Sequence, residues 1–142
     1  MSRCQITLSV NAGVALHLGQ HRVWSDALHD RRVVGFSTVT PQLWSILQAH
    51  PDFARPEILF YTHCHPDHYS RALTEQVVAR NPAAILVLPE QEFDSQVRLA
   101  GPGSHLTIGD LRMDFFQLTH EGPQYREVPH YGCILESGGF RV

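Results

Sequence analysis

Apolar and polar positions fall into short blocks from the first residues onward. Residues 4–10 read as a first strand, closed by a tight turn at Asn11, Ala12 and Gly13. Residues 14–18 and 22–25 then form a hairpin about Gly19 and Gln20. The period changes at Thr40–Pro41, an N-cap followed by proline at the first helical position. The helix begun there runs to about His50, with Leu43, Ile46 and Leu47 on one face, and Pro51 stops it. Ile58, Leu59, Phe60 and Tyr61 make an unbroken apolar run just after Pro56, the pattern of a buried strand. Ser70 caps a second helix with Leu73, Val77 and Val78 as its apolar stripe and Asn81–Pro82 as its end. Residues 83–88 read as another buried strand, and 90–99 as a third helix closed by Gly101, Pro102 and Gly103. Hairpins follow: 106–108 with 111–116 about Gly109–Asp110, then an apolar run at 131–135 and a Gly138–Gly139 turn into a return strand at 140–142. Strands alternating with helices and then giving way to hairpins is what one half of a two-sheet sandwich with outer helices would show.

The chemistry concentrates where the central strand ends. Residues 62–68 read Thr-His-Cys-His-Pro-Asp-His. In an extended stretch, side chains two apart point the same way, so His63 and His65 project together and Cys64 points away. Pro66 cannot continue the strand and pre-sets a turn that brings Asp67 and His68 to another side of the same cavity. Two imidazoles aimed at one point suit a borderline ion such as zinc, and an Asp–His pair suits a second ion beside it. The second helix starts next to Asp67 and His68, so its free N–H groups favour an anionic carboxylate or substrate there.

This run resembles the HxHxDH signature of the metallo-β-lactamase-fold metal-dependent hydrolases. The resemblance implies an α/β chain folded as an αββα sandwich, with one or two transition-metal ions, usually zinc, at the edge between its two sheets. It implies His63 and His65 as ligands of a first ion and Asp67 and His68 as ligands of a second. The family takes one more first-site His from a later strand end. Two residues compete for that place: His120, which closes the segment 113–119, and His130, just before the run 131–135. The family's usual layout favours His120 and leaves His130 as a supporting group or substrate contact. Asp26 stands where family members deliver an Asp at the end of their opening strand pair, which implies support of the metal-binding loop. His29 follows closely, facing the same cavity or solvent. The implied activity is attack of a metal-bound hydroxide on an ester, lactone, amide or phosphodiester of a small-molecule substrate, with Asp67 as ligand and orienter. Manganese and iron suit a His-rich site with a carboxylate as well as zinc does.

The chain also departs from the family. The family's bridging Asp comes in a Gly-Asp pair after the third His, and a last His follows it. Here the only Gly-Asp pair is Gly109–Asp110, which precedes His120. The expectation is a C-terminally incomplete domain over residues 1–142, resembling the N-terminal part of the fold and binding one zinc weakly or none. One reading makes it part of a metallo-hydrolase. The other makes it a catalytically incomplete fragment that pairs with its missing half, or forms a homodimer through the sheet edge at 140–142.

Composition narrows the rest. A hydrophobic share of 43% supports a core, and a formal net charge of -3 with no Lys/Arg cluster denser than Arg31–Arg32 argues against nucleic acid. No stretch has the length of a membrane span. Three widely spaced cysteines, Cys4, Cys64 and Cys133, suit reduced thiols in the cytoplasm, with Cys64 packing into the core. Rival motifs fail: His120–Glu121 does not continue as HExxH because position 124 is Gln, and no GxSxG, P-loop or GxGxxG run occurs.

Overall fold

The computed structural model describes residues 3–142. The opening meander consists of β1 (Cys4–Leu8), β2 (Val14–Leu18) and β3 (His21–Ser25), paired antiparallel. Helix α1 (Pro41–Ala49) leads to β4 (Ile58–Phe60), and helix α2 (Arg71–Arg80) leads to β5 (Ile85–Leu88) and the short β6 (Val97–Arg98). Strands β3 to β6 run parallel, so one six-stranded sheet has the order β1-β2-β3-β4-β5-β6. A second, antiparallel sheet follows from β7 (His105–Ile108), β8 (Leu111–Leu118), β9 (His130–Ser137) and β10 (Phe140–Arg141), in the order β10-β9-β8-β7.

Both helices start where their caps predict. The Thr40 side chain accepts from Leu43 N–H at 3.2 Å, and Ser70 Oγ accepts from Leu73 N–H at 3.3 Å. Successive residues of the central strands face opposite sides, and this divides the core in two. Leu59, Leu86 and Leu88 pack with Leu47, Leu73 and Val77 under the helices. Ile58, Phe60 and Val87 pack with Met113, Phe115 and Leu135 between the sheets. The layers are therefore helices, sheet, sheet. Among the described residues no helix covers the outer face of the second sheet, where Phe116 is exposed. Nor is any helix long and apolar enough to cross a membrane.

Residues 90–99 do not form the expected third helix. Gln96 Oε1 accepts from the Glu92 and Phe93 amides at 2.8 and 2.7 Å, and its Nε2 donates to the Glu90 carbonyl, so one side chain holds a loop closed. Val97–Arg98 then joins the open edge of β5. The reason lies in the two cores. Phe93 packs on the helix side of the sheet and Leu99 between the sheets, and a helix with one apolar face serves only one of them. The first strand also stops at Leu8 rather than at residue 10. Ser9 N–H donates to the Gly13 carbonyl at 2.9 Å, closing a turn with Asn11 at φ 51°.

Candidate metal centre

The centre lies at the C-terminal end of β4, an inner strand of the parallel set. Tyr61 N–H donates to the Val87 carbonyl, continuing the pairing one step past the strand, and the buried Tyr61 hydroxyl meets Thr74 Oγ1 at 2.6 Å. Tyr131 N–H donates to the Thr62 carbonyl at 2.8 Å, which ties the start of β9 to the ligand loop across the two sheets. The chain then turns at Pro66, with the His68 and Tyr69 amides both donating to the His65 carbonyl at 2.9 Å. His63 is 2% exposed, whereas His65, Asp67 and His68 are half-buried. Cys64 faces the helix-side core and burial pushes its thiol up, so it stays apart from its histidine neighbours.

Two sets of potential ligand atoms converge here. One atom each from His63, His65 and His120 lie within 4.8 Å of one another, and so do one each from His63, Asp67 and His68. Hydrogen bonds behind the rings determine which nitrogens carry protons. The Thr62 hydroxyl donates to Asp26 Oδ2 at 2.7 Å, so it accepts from His63 Nδ1–H at 2.9 Å. His120 Nδ1–H donates to the Glu121 carbonyl at 2.9 Å. A neutral ring with its proton on Nδ1 presents only a lone pair at Nε2, and the Nε2 atoms of His63 and His120 face each other 3.3 Å apart. Two acceptors at that distance repel unless a cation lies against them. Protonation of His63 answers poorly, because burial and then the imidazoles of His68, His130, His65 and His120 push its pKa down to about 2. A metal ion suits such a pair of neutral nitrogens, so the donor set fits one.

The second set differs in its electrostatics. His68 Nδ1–H donates to Asp26 Oδ2 at 2.8 Å and turns Nε2 toward Asp67 Oδ2, 3.5 Å away. Burial works against protonation of His68, but the hydrogen bond and charge of Asp26, with Asp67, outweigh it and raise its pKa. Asp26 is 3% exposed and also accepts from Thr62 N–H at 2.8 Å. It sits at φ 47° at the end of β3, and one carboxylate thereby orients Thr62 and His68 together.

His130 lies close by without joining either set. Its ring centroid is 4.7 Å from that of His63 and 5.3 Å from that of His120, and its Nδ1 is buried without a partner. His29 is fully buried and donates from Nε2 to the Ser37 carbonyl at 3.2 Å, not to any ligand residue. The motif reading passed over two neighbours. Thr62, directly ahead of the motif, couples Asp26 to His63. Tyr125, in a short 3-10 turn (Pro123–Tyr125), places its ring 5.1 Å from His65 and 5.0 Å from His120. Position beside the motif is the one signal for Thr62, and Tyr125 has none in the sequence.

No family model and no curated protein sequence matches the chain. Solved structures do. A protein from Parabacteroides distasonis, described as a metal-dependent hydrolase, superposes with a TM-score of 0.60 at 14% identity, over 99% of this chain and 64% of that one. The metallo-β-lactamase fold protein YhfI of Bacillus subtilis gives 0.60 at 13% identity, over 94% of this chain and 53% of that one. BJP-1, a subclass B3 metallo-β-lactamase of Bradyrhizobium japonicum, gives 0.56 at 14%, over 99% and 57%. The chain thus spans less than two thirds of the length of each of these structures. Over that span, with its histidines gathered at the ends of β4 and β8, it has the metallo-β-lactamase fold.

Proposed function

We propose that this chain carries the metal centre of a metal-dependent hydrolase acting on small molecules. The observation behind the reading is the pair of Nε2 atoms of His63 and His120 facing each other 3.3 Å apart, where burial and neighbouring imidazoles oppose protonation of His63. His63, His65 and His120 would hold a first ion, zinc by preference for neutral imidazoles, and Asp67 and His68 would contribute to a second. A bound ion supplies a water of lowered pKa and polarises the bond to be cleaved, in an ester, lactone, amide or phosphodiester. The protein does the rest. Asp67 orients the attacking water, Asp26 keeps the His68 lone pair turned into the site, and Thr62 does the same for His63. His130 flanks the centre and does not bind the ion.

Hydrolysis of a panel of p-nitrophenyl esters and bis-p-nitrophenyl phosphate, with and without added zinc, tests the proposal. Zinc-dependent turnover that disappears in His63→Ala supports it, and turnover equal in that variant refutes it.

A second reading has its own observation. A cleft of about 370 Å³ opens between the sheets on the β1 and β10 side, lined by Ile6, Val14, Leu16, Leu135 and Val142, with Ile6 54% exposed. An apolar cleft beside two unpaired strand edges favours association with a second copy of the chain. A dimer whose stability ignores zinc, in a chain with no turnover, supports this reading over the first.

A further inference from the structure

A cavity of about 520 Å³ opens between the end of β6, the end of β8 and the segment 126–129. Its wall includes Thr119 and Pro129, the residues directly before His120 and His130, so it adjoins the candidate centre along the chain on both sides. Two arginines line it. Arg98 ends β6, at the same end of the parallel sheet as the ligand loop after β4. Arg126 directly follows Tyr125, whose ring lies against His65 and His120. Among the described residues neither guanidinium has an ion-pair or hydrogen-bond partner, although Arg71, Arg112 and Arg141 each pair with a carboxylate. Glu127 is the one acid in the cavity wall, and Gln117 and Thr119 add polar groups. The cavity is therefore polar, net positive and within the size range of small-molecule sites.

We infer that Arg98 and Arg126 bind an oxyanion of the substrate, a phosphate monoester or a carboxylate, on a part of the molecule away from the bond cleaved at the histidines. This inference rests on the proposed hydrolase and supplies its substrate class. Guanidinium forks match the geometry of phosphate and carboxylate oxygens and bind them through two parallel N–H donors. Binding energy gathered on a remote anionic group positions the scissile bond over the reactive centre. An uncharged ester or lactam leaves both arginines unused.

The test separates this inference from the metal reading. The full chain, kept metal-free with chelator, is titrated at constant ionic strength with methyl phosphate and, separately, with acetate, and amide shifts are followed by NMR. Saturable shifts at Gln117, Thr119 and the 126–128 segment are expected. The double variant Arg98→Gln/Arg126→Gln weakens binding about tenfold or more, since both charged donors are lost. Arg80→Gln, at the end of α2 and outside the cavity, leaves it unchanged. Preference for methyl phosphate identifies a phosphate-bearing substrate, and preference for acetate a carboxylate. No saturable binding of either probe, or equal binding by the double variant, overturns the inference whatever the chain does with zinc. Oxyanion binding in a chain that takes up no metal would instead overturn the hydrolase reading alone.

Discussion

Replacing Asp26 with asparagine removes the support beneath both ligand sets without touching a ligand. The carboxylate accepts from Thr62 N–H at 2.8 Å, the Thr62 hydroxyl at 2.7 Å and His68 Nδ1–H at 2.8 Å, and it is 3% exposed. Asparagine keeps one oxygen for the Thr62 amide but sets an NH2 group against the other two donors. The Thr62 hydroxyl escapes by turning to accept, which alters its contact with His63 Nδ1–H. His68 escapes only by moving its proton to Nε2, and that removes the lone pair facing Asp67. A buried donor left without an acceptor costs about 1–3 kcal/mol. With partial relaxation at Thr62, the variant should lose roughly 2–3 kcal/mol of stability. Urea unfolding in chelator measures that directly. Outer supports of ligating histidines typically change metal affinity about 10–100-fold, so competition with a zinc chelator should show a loss in that range. If Asp26→Asn unfolds at the wild-type urea midpoint, or takes up zinc with wild-type affinity, the described support is not what holds the ligands.

Three further outcomes are expected. His120→Ala should abolish tight zinc uptake, while His130→Ala should shift zinc affinity less than about tenfold; the reverse order in a chelator competition would exchange their roles. At the opposite pole the buried His21 donates to Glu57 at 2.7 Å and Asp110 at 2.9 Å, and Asp110 also accepts from Ser137 Oγ. A neutral ring has only one N–H, so this arrangement needs the imidazolium: burial opposes it, but Asp110 and Glu57 outweigh burial and raise the pKa. The stabilisation is then complete below the unfolded histidine pKa near 6.5 and is lost as pH rises through the raised folded value. The hydrogen bonds from His21 and Ser137 hold Asp110 down at about 2, so its contribution is present above the unfolded value of 3.8 and fades as pH falls toward 2. The thermal unfolding midpoint of the metal-free chain should be highest between those limits and fall into alkaline pH, and His21→Phe should flatten the alkaline fall. Lastly, Gly13→Ala would put a Cβ 3.1 Å from the Ala27 Cα and 3.1 Å from the Val10 carbonyl, next to Asp26, so about 1–3 kcal/mol of destabilisation is expected in urea.

The pattern of the chain carried the parts of this structure that depend on neighbours in sequence. Alternation and caps located β4, α2 and the hairpin at Gly109–Asp110, and the spacing of His63, His65, Asp67 and His68 marked one cluster of potential ligands. Interactions across the chain were harder to read. His68 and Asp26 are 42 positions apart, and His21 and Asp110 are 89 apart. Nothing local identifies such partners, because a carboxylate finds its donor only once distant strands have paired, as for Asp26, or the two sheets have packed, as for Asp110. The segment after Pro89 misled for a related reason. Its charged and amide residues resemble an exposed helix, but tertiary contacts at Phe93 and Leu99 and the free edge of β5 outweigh that weak local preference. Tyr125 reached the histidines through a loop whose course no periodicity predicts.

The opposed lone pairs of His63 and His120 can be observed directly. Long-range 1H–15N NMR of the imidazoles reports which ring nitrogen carries a proton and whether the other binds a metal. In the metal-free chain the account predicts Nδ1–H tautomers for both residues, with bare Nε2 atoms, and a metal-bound Nε2 shift on each when zinc is added. An Nε2–H tautomer at either residue, or Nε2 signals that zinc leaves unmoved, would contradict it.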